Sequence, residues 1–318
     1  MSEESEKIQK DKERIESRTE VVGKQATLGG ENIELREFKN LKEKRELKEQ
    51  VLSLFNNEMI RSIIVPREID NNIRGNKLDR QYARGRDVND TMSRADMFAK
   101  KDILTLSTFP ATLTMAYVNL LTKEGDSVFD AFMGHNSRAE DVLSLGRKYY
   151  GYDIHSFPVE FTKKAIERFP QEDWELNYGS SEKVKYEDES MDFSLTCPPY
   201  FDVEPYNKIY GEEKQDDLSS KDDTDFIFSY YQCIKETYRV LKKGSYFVII
   251  VGDTHKGEKY RSLMLETIKI CSILGFQLHD INIYNRKSNI GGDMNYKNFI
   301  LKSKRFPTIH EFILIFKK

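Results

Sequence analysis

Residues 127–153 read SVFDAFMGHNSRAEDVLSLGRKYYGYD, and their order decides the fold. Ser127–Phe132 is a short apolar run that breaks at Met133-Gly134-His135-Asn136, as a buried strand entering a tight turn would. A helical pattern follows over Arg138–Leu145, and Lys148–Ile154 forms a second strand ending in Asp153. Strand, turn, helix and strand with a terminal acid make a βαβ unit of nucleotide-binding type. Asp153 lies 23 residues beyond Asp130, close to the spacing of an acid that binds ribose hydroxyls.

Downstream, the spacing predicts a helix over Val159–Phe169, a strand near Trp174–Tyr178, a turn at Gly179-Ser180-Ser181 and a strand from Met191. A helix over Phe226–Leu241 is expected to stop at Lys242-Lys243-Gly244, then a strand over Ser245–Val251 and a helix over Lys259–Leu274 capped by Gly275. Strands over Phe276–Tyr284 and Ile309–Phe316 close the chain. A loop joins these last two strands where earlier ones are joined by helices, which predicts one antiparallel strand in an otherwise parallel α/β sheet of seven strands with helices on both faces. Upstream, Phe109–Leu121 reads as a helix with Pro110 at its start.

The strand from Met191 ends in an unusual way. Residues 191–206 are MDFSLTCPPYFDVEPY: alternation in Met191, Phe193 and Leu195 stops at Pro198 and Pro199, which fix φ, lack N–H groups and hold Cys197 extended. The result is a stiff strand end with outward carbonyls, one thiol and the ring of Tyr200, equipment for holding a flat ring that carries an amine. The plain alternative is a Pro-Pro turn with a tyrosine packed beside it. In an open α/β sheet the site lies at the carboxyl ends of the strands, and Asp130–Gly134, Asp153 and Cys197–Tyr200 all fall there.

The chain has 318 residues, a net charge of −3 and 32% charged residues, unevenly spread. We read residues 1–45 as a charged extension, disordered at first and passing into an amphipathic helix over Leu41–Phe55, residues 46–104 as a basic segment, and 105–318 as the globular domain. Between Asn72 and Asp102, eight cations (Arg74, Arg84 and Arg86 among them) face five aspartates, and between Asn285 and Pro307 six cations (Arg286, Lys287, Lys297, Lys302, Lys304 and Arg305) face Asp293 alone. With an acidic chain overall, any contact with nucleic acid must come from local patches such as these, and for residues 72–102 a phosphate-facing region is one reading and an ordinary polar surface the other. Gly211–Asp225, with seven acids and two lysines, is expected to be a mobile loop and the poorest phosphate contact. No apolar run reaches the length of a membrane span, no signal-like segment opens the chain, and three cysteines out of metal-ligand spacing read as reduced thiols. A cytoplasmic protein without metal is the expectation, with Cys233 and Cys271 in the core. Nothing in the chain specifies an oligomeric state.

From about Leu106 to Lys318 the chain resembles the class I S-adenosylmethionine-dependent methyltransferases, and within them the nucleic-acid amino-methyltransferases, including phage-type DNA methylases. Phe129-Asp130-Ala131-Phe132-Met133-Gly134 looks like their D-P-F-x-G-S-G cofactor loop, Gly151-Tyr152-Asp153 their G-x-D strand end, Thr196-Cys197-Pro198-Pro199-Tyr200 their T-S-P-P-Y or D-P-P-Y, and Phe109-Pro110 the opening of their cofactor helix. The resemblance implies a Rossmann-like catalytic domain, S-adenosylmethionine as cofactor, and DNA as partner with RNA as the alternative. It further implies Phe109, Asp130, Ala131, Phe132, Gly134, Asp153 and Ser180 as cofactor residues and Cys197, Pro198, Pro199 and Tyr200 as catalytic residues. Ala131, His135 and Asn136 depart from the loop pattern, and Cys197 stands where the family places Asp, Asn or Ser. Its likeness in size to Ser favours cytosine N4 over adenine N6. A thiolate at Cys197 adding to carbon 6 of cytosine, followed by carbon-5 methylation, is the alternative chemistry, with Asp202 or Glu204 as the acid. A non-catalytic binding subunit of the same fold is the third reading.

Overall fold

A computed structural model describes residues 63–64, 111–134, 138–285, 300, 302–306, 308 and 310–318. The expected N-terminal extension, the Leu41–Phe55 helix, Arg74, Arg84, Arg86, Phe109, Pro110, His135, Asn136, Arg286, Lys287 and Lys297 lie outside the described residues.

In chain order the strands are β1 (Ile63–Ile64), β2 (Ser127–Asp130), β3 (Lys148–Asp153), β4 (Trp174–Tyr178), β5 (Met191–Thr196), β6 (Leu241–Val251), β7 (Thr254–Lys256), β8 (Lys259–Arg261), β9 (Gln277–Asn285) and β10 (His310–Lys317). The helices are α1 (Ala111–Leu121), α2 (Arg138–Ser144), α3 (Ser156–Ile166), α4 (Tyr206–Tyr210), α5 (Asp223–Val240) and α6 (Leu263–Leu274). One sheet runs β1-β9-β10-β6-β5-β2-β3-β4, and β7 and β8 form a separate hairpin. β10 is antiparallel to both β6 and β9, and the other pairs in the sheet are parallel. The seven expected strands and the single antiparallel one are therefore present, with β1 added beside β9 at Ile283 and Tyr284.

Neighbouring residues of one strand divide between two buried clusters. Val128, Val248 and Ile250 pack with Leu113 of α1, Val142 of α2 and Ile166 of α3. Phe129, Phe247, Ile249 and Val251 pack with Phe226 and Cys233 of α5 and Ile270 and Cys271 of α6. A strand whose successive side chains point to opposite faces must bury both sets under helices, hence the continuous apolar run of β6.

Some boundaries differ from the sequence reading. Leu241, the residue after α5, is already extended and begins β6 at once, so Gly244 serves no helix cap. Lys259–Arg261 is a strand, and α6 begins only after Ser262, whose hydroxyl accepts from the Leu265 amide at 3.2 Å. Trp174, at the start of β4, is a buried member of the core, and its indole donates to the Phe169 carbonyl at 3.3 Å. The acidic stretch expected to be mobile is built: Asp217 is buried and accepts from the Ser219 amide and hydroxyl and the Asn207 amide, while Asp222 caps α5. Its carboxylates are consumed by backbone N–H groups, which is why so acidic a stretch folds. Among the described residues no helix is long and apolar enough to cross a membrane.

Candidate active site at the carboxyl edge of the sheet

β2, β3, β5 and β6 run parallel, so Asp130, Asp153, Thr196 and Val251 end on one edge. β10 runs the other way and begins on that edge, since Phe312 faces Val251. Lys302, Lys304 and Arg305, which precede β10 in the chain, approach it there. Topology thus gathers the Asp130–Gly134 loop, Asp153 and the Pro-Pro strand end at one edge, and of the second basic segment the described Arg305 acts there on His255.

Asp130 organises this edge from below. It is 1% exposed and its carboxylate accepts from Arg138 Nε (2.7 Å), Tyr149 Oη (2.9 Å), Thr196 Oγ1 (2.6 Å) and the Phe132 amide (3.2 Å). With so many donors it has no face left for a cofactor, so its part is positioning. Arg138, 2% exposed, also donates to the carbonyls of Phe132 (2.6 Å) and Met133 (3.1 Å). Burial alone would make the guanidinium easier to deprotonate, but Asp130 beside it holds its pKa above the ordinary value.

The loop's other polar groups also turn inward. Besides Asp130, the Phe132 amide reaches Thr196 Oγ1 at 3.0 Å, the Met133 amide reaches the Tyr152 carbonyl at 3.0 Å, and the Gly134 amide reaches Asp153 Oδ2 at 3.0 Å. Ala131 and Met133 are buried and Phe132 half-buried. Gly151 makes room for this: a Cβ there would lie 2.8 Å from Met133 Sδ and 2.8 Å from the Tyr149 ring.

Asp153 is half-buried, with Oδ1 on the His155 amide (2.9 Å) and Oδ2 on Gly134. Burial raises its pKa from 3.8 to about 6 against the opposing pull of those two amides and of His155. Because the folded value lies above the unfolded one, this carboxyl stabilises the fold at low pH, and that contribution is lost as pH rises through about 6. α4 and the turn after it lie over this strand end: Tyr210 sits 5.0 Å from the His155 ring and 5.5 Å from Phe157, and Glu212 accepts from the Ser156 amide at 3.2 Å. Ser180 accepts from the Glu182 amide at 3.2 Å within its own turn, while Asn177 donates to Tyr186 Oη (2.7 Å) and the Gly151 carbonyl (3.3 Å).

At the Pro-Pro strand end Pro198 is buried, and Cys197, Pro199 and Tyr200 are half-buried. Cys197 Sγ lies 3.4 Å from Tyr200 Oη. Burial pushes its thiol up to about 12, with the Glu311 carboxylate adding to the rise and Arg138 opposing it. Tyr200 rests against the backbone at Gly252, where a Cβ would lie 2.7 Å from the ring, so only glycine admits the tyrosine in this place. Phe201 follows with φ of 56°, stacked on Phe226 at 4.5 Å.

Sequence reasoning gave no role to Arg138, Gly252 or Glu311, and named Thr196 only as the first residue of the Pro-Pro motif. The position of Thr196 directly before Cys197 was the one usable signal; the rest depend on packing between distant segments. Asp202 pairs with Arg261 (2.6 Å) and Lys256 (3.3 Å), and Glu204 with Tyr206 Oη, so both carboxylates have protein partners. Among the described residues no three His, Cys, Asp or Glu side chains form a metal-binding group.

The model of a DNA methylase family of N6/N4 type matches residues 32–164 and 191–318. The orphan methyltransferase M.BamHII of Bacillus amyloliquefaciens is 32% identical over 130 residues, 41% of this chain and 39% of that protein. A tRNA (guanine(10)-N2)-dimethyltransferase of Pyrococcus abyssi is 30% identical over 93 residues, 29% of this chain and 28% of its own length. The stretches matched are thus well under half of either relative. Among solved structures, a SAM-dependent methyltransferase from Methanosarcina mazei is 16% identical with a TM-score of 0.44, covering 67% of this chain and 99% of that one.

Two measurements check this geometry. Arg138→Met leaves Asp130 buried without its ion-pair partner and is expected to lower stability by about 3–5 kcal/mol in denaturant unfolding, with much of the loss restored when Asp130→Asn is added. Gly252→Ala should displace the Tyr200 ring while leaving the melting temperature within a few degrees of wild type, and a crystal structure of the variant with an unmoved ring would contradict the packing described.

Proposed function

The chain belongs to the N6/N4 family of DNA methylases, and on that premise we propose that it is an S-adenosylmethionine-dependent methyltransferase acting on an exocyclic amine of a base in DNA, cytosine N4 ahead of adenine N6. The observation that carries this reading is the hydrogen-bonded path from strand end to strand end. Thr196, beside Cys197, bonds Asp130 and the loop amide, and the loop bonds Asp153. A base held at Cys197–Tyr200 and a cofactor held at Asp153 would share one rigid frame.

The donor set suits this cofactor. Each Asp153 oxygen accepts one amide and keeps a further lone pair for a ribose hydroxyl. Asn177 in β4 and Ser180 in the turn after it are the residues we place against the cofactor's adenine. The loop's amides and carbonyls are engaged inward, so Ala131, Phe132 and Gly134 would offer the methionine end a fixed surface more than free donors. When bound, S-adenosylmethionine supplies an electrophilic methyl group on a sulfonium.

The protein's part is to hold the amine. A flipped base stacks on Tyr200, and its amine donates to a carbonyl of Cys197 or Pro198, which turns the nitrogen lone pair outward. In-line placement provides most of the acceleration, and the aminium formed on methyl transfer releases its proton to water. A thiol pushed up to about 12 stays protonated at neutral pH, and a protonated thiol is a poor nucleophile, which favours the amine reading over carbon-5 chemistry. The similarity to an enzyme named for guanine N2, itself an exocyclic amine, points the same way.

Four outcomes test the proposal. DNA from cells expressing the protein, digested to nucleosides, should contain N4-methylcytosine by mass spectrometry; 5-methylcytosine in its place would overturn the chemistry, and the absence of any methylated nucleoside the activity. Cys197→Ser should retain activity, whereas a thiolate mechanism would be abolished by it. Calorimetric affinity for S-adenosylmethionine should weaken as pH falls through about 6, as protonation of Asp153 removes an acceptor. Asp153→Ala should bind it roughly ten- to a hundredfold more weakly, the loss of one charge-assisted hydrogen bond.

A further inference from the structure

The β7–β8 hairpin has no part in the reaction as described, yet it stands at the same edge. It begins two residues after Gly252, the position on which Tyr200 rests. Its side chains are unusual for a plain turn. Tyr260 is 55% exposed, and the side chains of Lys256 and Lys259 are 56% and 68% exposed. The Tyr260 ring is nevertheless fixed, because its hydroxyl donates to Asp253 at 2.5 Å and its edge meets the His255 ring at 5.0 Å. An aromatic face held in place while exposed loses little entropy when something stacks on it.

The cations are held only loosely. Lys256 pairs with the exposed Asp202 at 3.3 Å and Lys259 with the half-buried Asp223 at 2.8 Å; each carboxylate also has Arg261 as a partner, so either exposed ammonium can leave it for a phosphate. Arg305 adds to the field: after burial, its charge is the next cause lowering the His255 pKa.

Arg261, by contrast, is 5% exposed and ties the hairpin to the strand end. Its guanidinium lies 4.6 Å above the Phe201 ring and donates to Asp202 at 2.6 Å and Asp223 at 3.2 Å. Phe201 is the residue after Tyr200, so a displacement of the hairpin is felt next to the target base.

We propose that this hairpin is a duplex-DNA contact: Lys256 and Lys259 grip phosphates, Tyr260 stacks on a base next to the flipped one, and Arg261 couples that grip to the Cys197–Tyr200 strand end. The inference rests on the function proposed above and extends it to the partner surface.

The test is fluorescence anisotropy of a labelled duplex over a salt series, with methyl transfer to the same duplex measured in parallel. Lys256→Ala/Lys259→Ala should flatten the slope of log affinity against log salt by about 1.8, two phosphate contacts' worth. Tyr260→Ala should weaken binding by about tenfold, as loss of a stacked base would. Tyr260→Phe, which keeps the stacking face and loses only the Asp253 hydrogen bond, should weaken binding clearly less than Tyr260→Ala, and S-adenosylmethionine affinity should be unchanged in every variant. An unaltered salt slope overturns the proposal, as does a Tyr260→Phe variant as weak as Tyr260→Ala, which would trace the effect to the Asp253 hydrogen bond. If wild type methylates the duplex and the variants match it, this inference alone fails. If wild type neither binds nor methylates duplex DNA, or binds only RNA, the function proposed above fails with it.

Discussion

One buried ion pair sets the geometry of the functional edge. Asp130 and Arg138 are eight residues apart and almost wholly removed from water. Such a pair is a poor source of net stability, because desolvation offsets most of the attraction. Its value here is directional. Asp130 draws Thr196 of β5, Tyr149 of β3 and the Phe132 amide to one point, and Arg138 adds two loop carbonyls. Three strands and a loop are thereby placed relative to one another by directional bonds, where apolar packing alone would tolerate small slides.

That arrangement explains why so irregular a loop as Ala131–Gly134 keeps a defined shape. Ala131 lacks the stiffness of the family's proline, and Gly134 is its one glycine among the described residues. Hydrogen bonds do the work that sequence does elsewhere: every described amide from Phe132 to Gly134 has an internal acceptor. Asp153 is drawn into the same network, so the residue expected to meet the ribose also closes the loop.

Much of the fold was legible because it depends on local periodicity. β6 and β10 are apolar on both faces, and the loop read from sequence between Tyr284 and Ile309 predicted the antiparallel strand that β10 forms. The strand ends bearing Asp130, Asp153 and Cys197 could be placed on one edge for the same reason. Illegible were the features that arise between segments. Arg138 reads as an ordinary polar residue at a helix start, and only the sheet turns it toward Asp130. Gly252 reads as a turn glycine until Tyr200 is packed against it. Lys259–Arg261 carries no strand periodicity and reads as the start of the following helix; the hydroxyl of Ser262 is the signal for the true start. The acidic run after Gly211 looked mobile by charge alone, since sequence does not reveal which backbone amides its carboxylates will meet.

The reversed strand has a practical side. β10 begins at the functional edge and therefore delivers the chain to the opposite end of the sheet, where the Lys318 amide donates to the Ser245 carbonyl at 2.9 Å and the Gly244 amide to the Lys318 carbonyl at 2.8 Å. Everything chemical gathers at one pole and Lys318 sits at the other. A reporter or tether anchored at Lys318 would hang from the end of the sheet opposite Asp153 and Cys197, which leaves the edge bearing those residues facing outward on a surface.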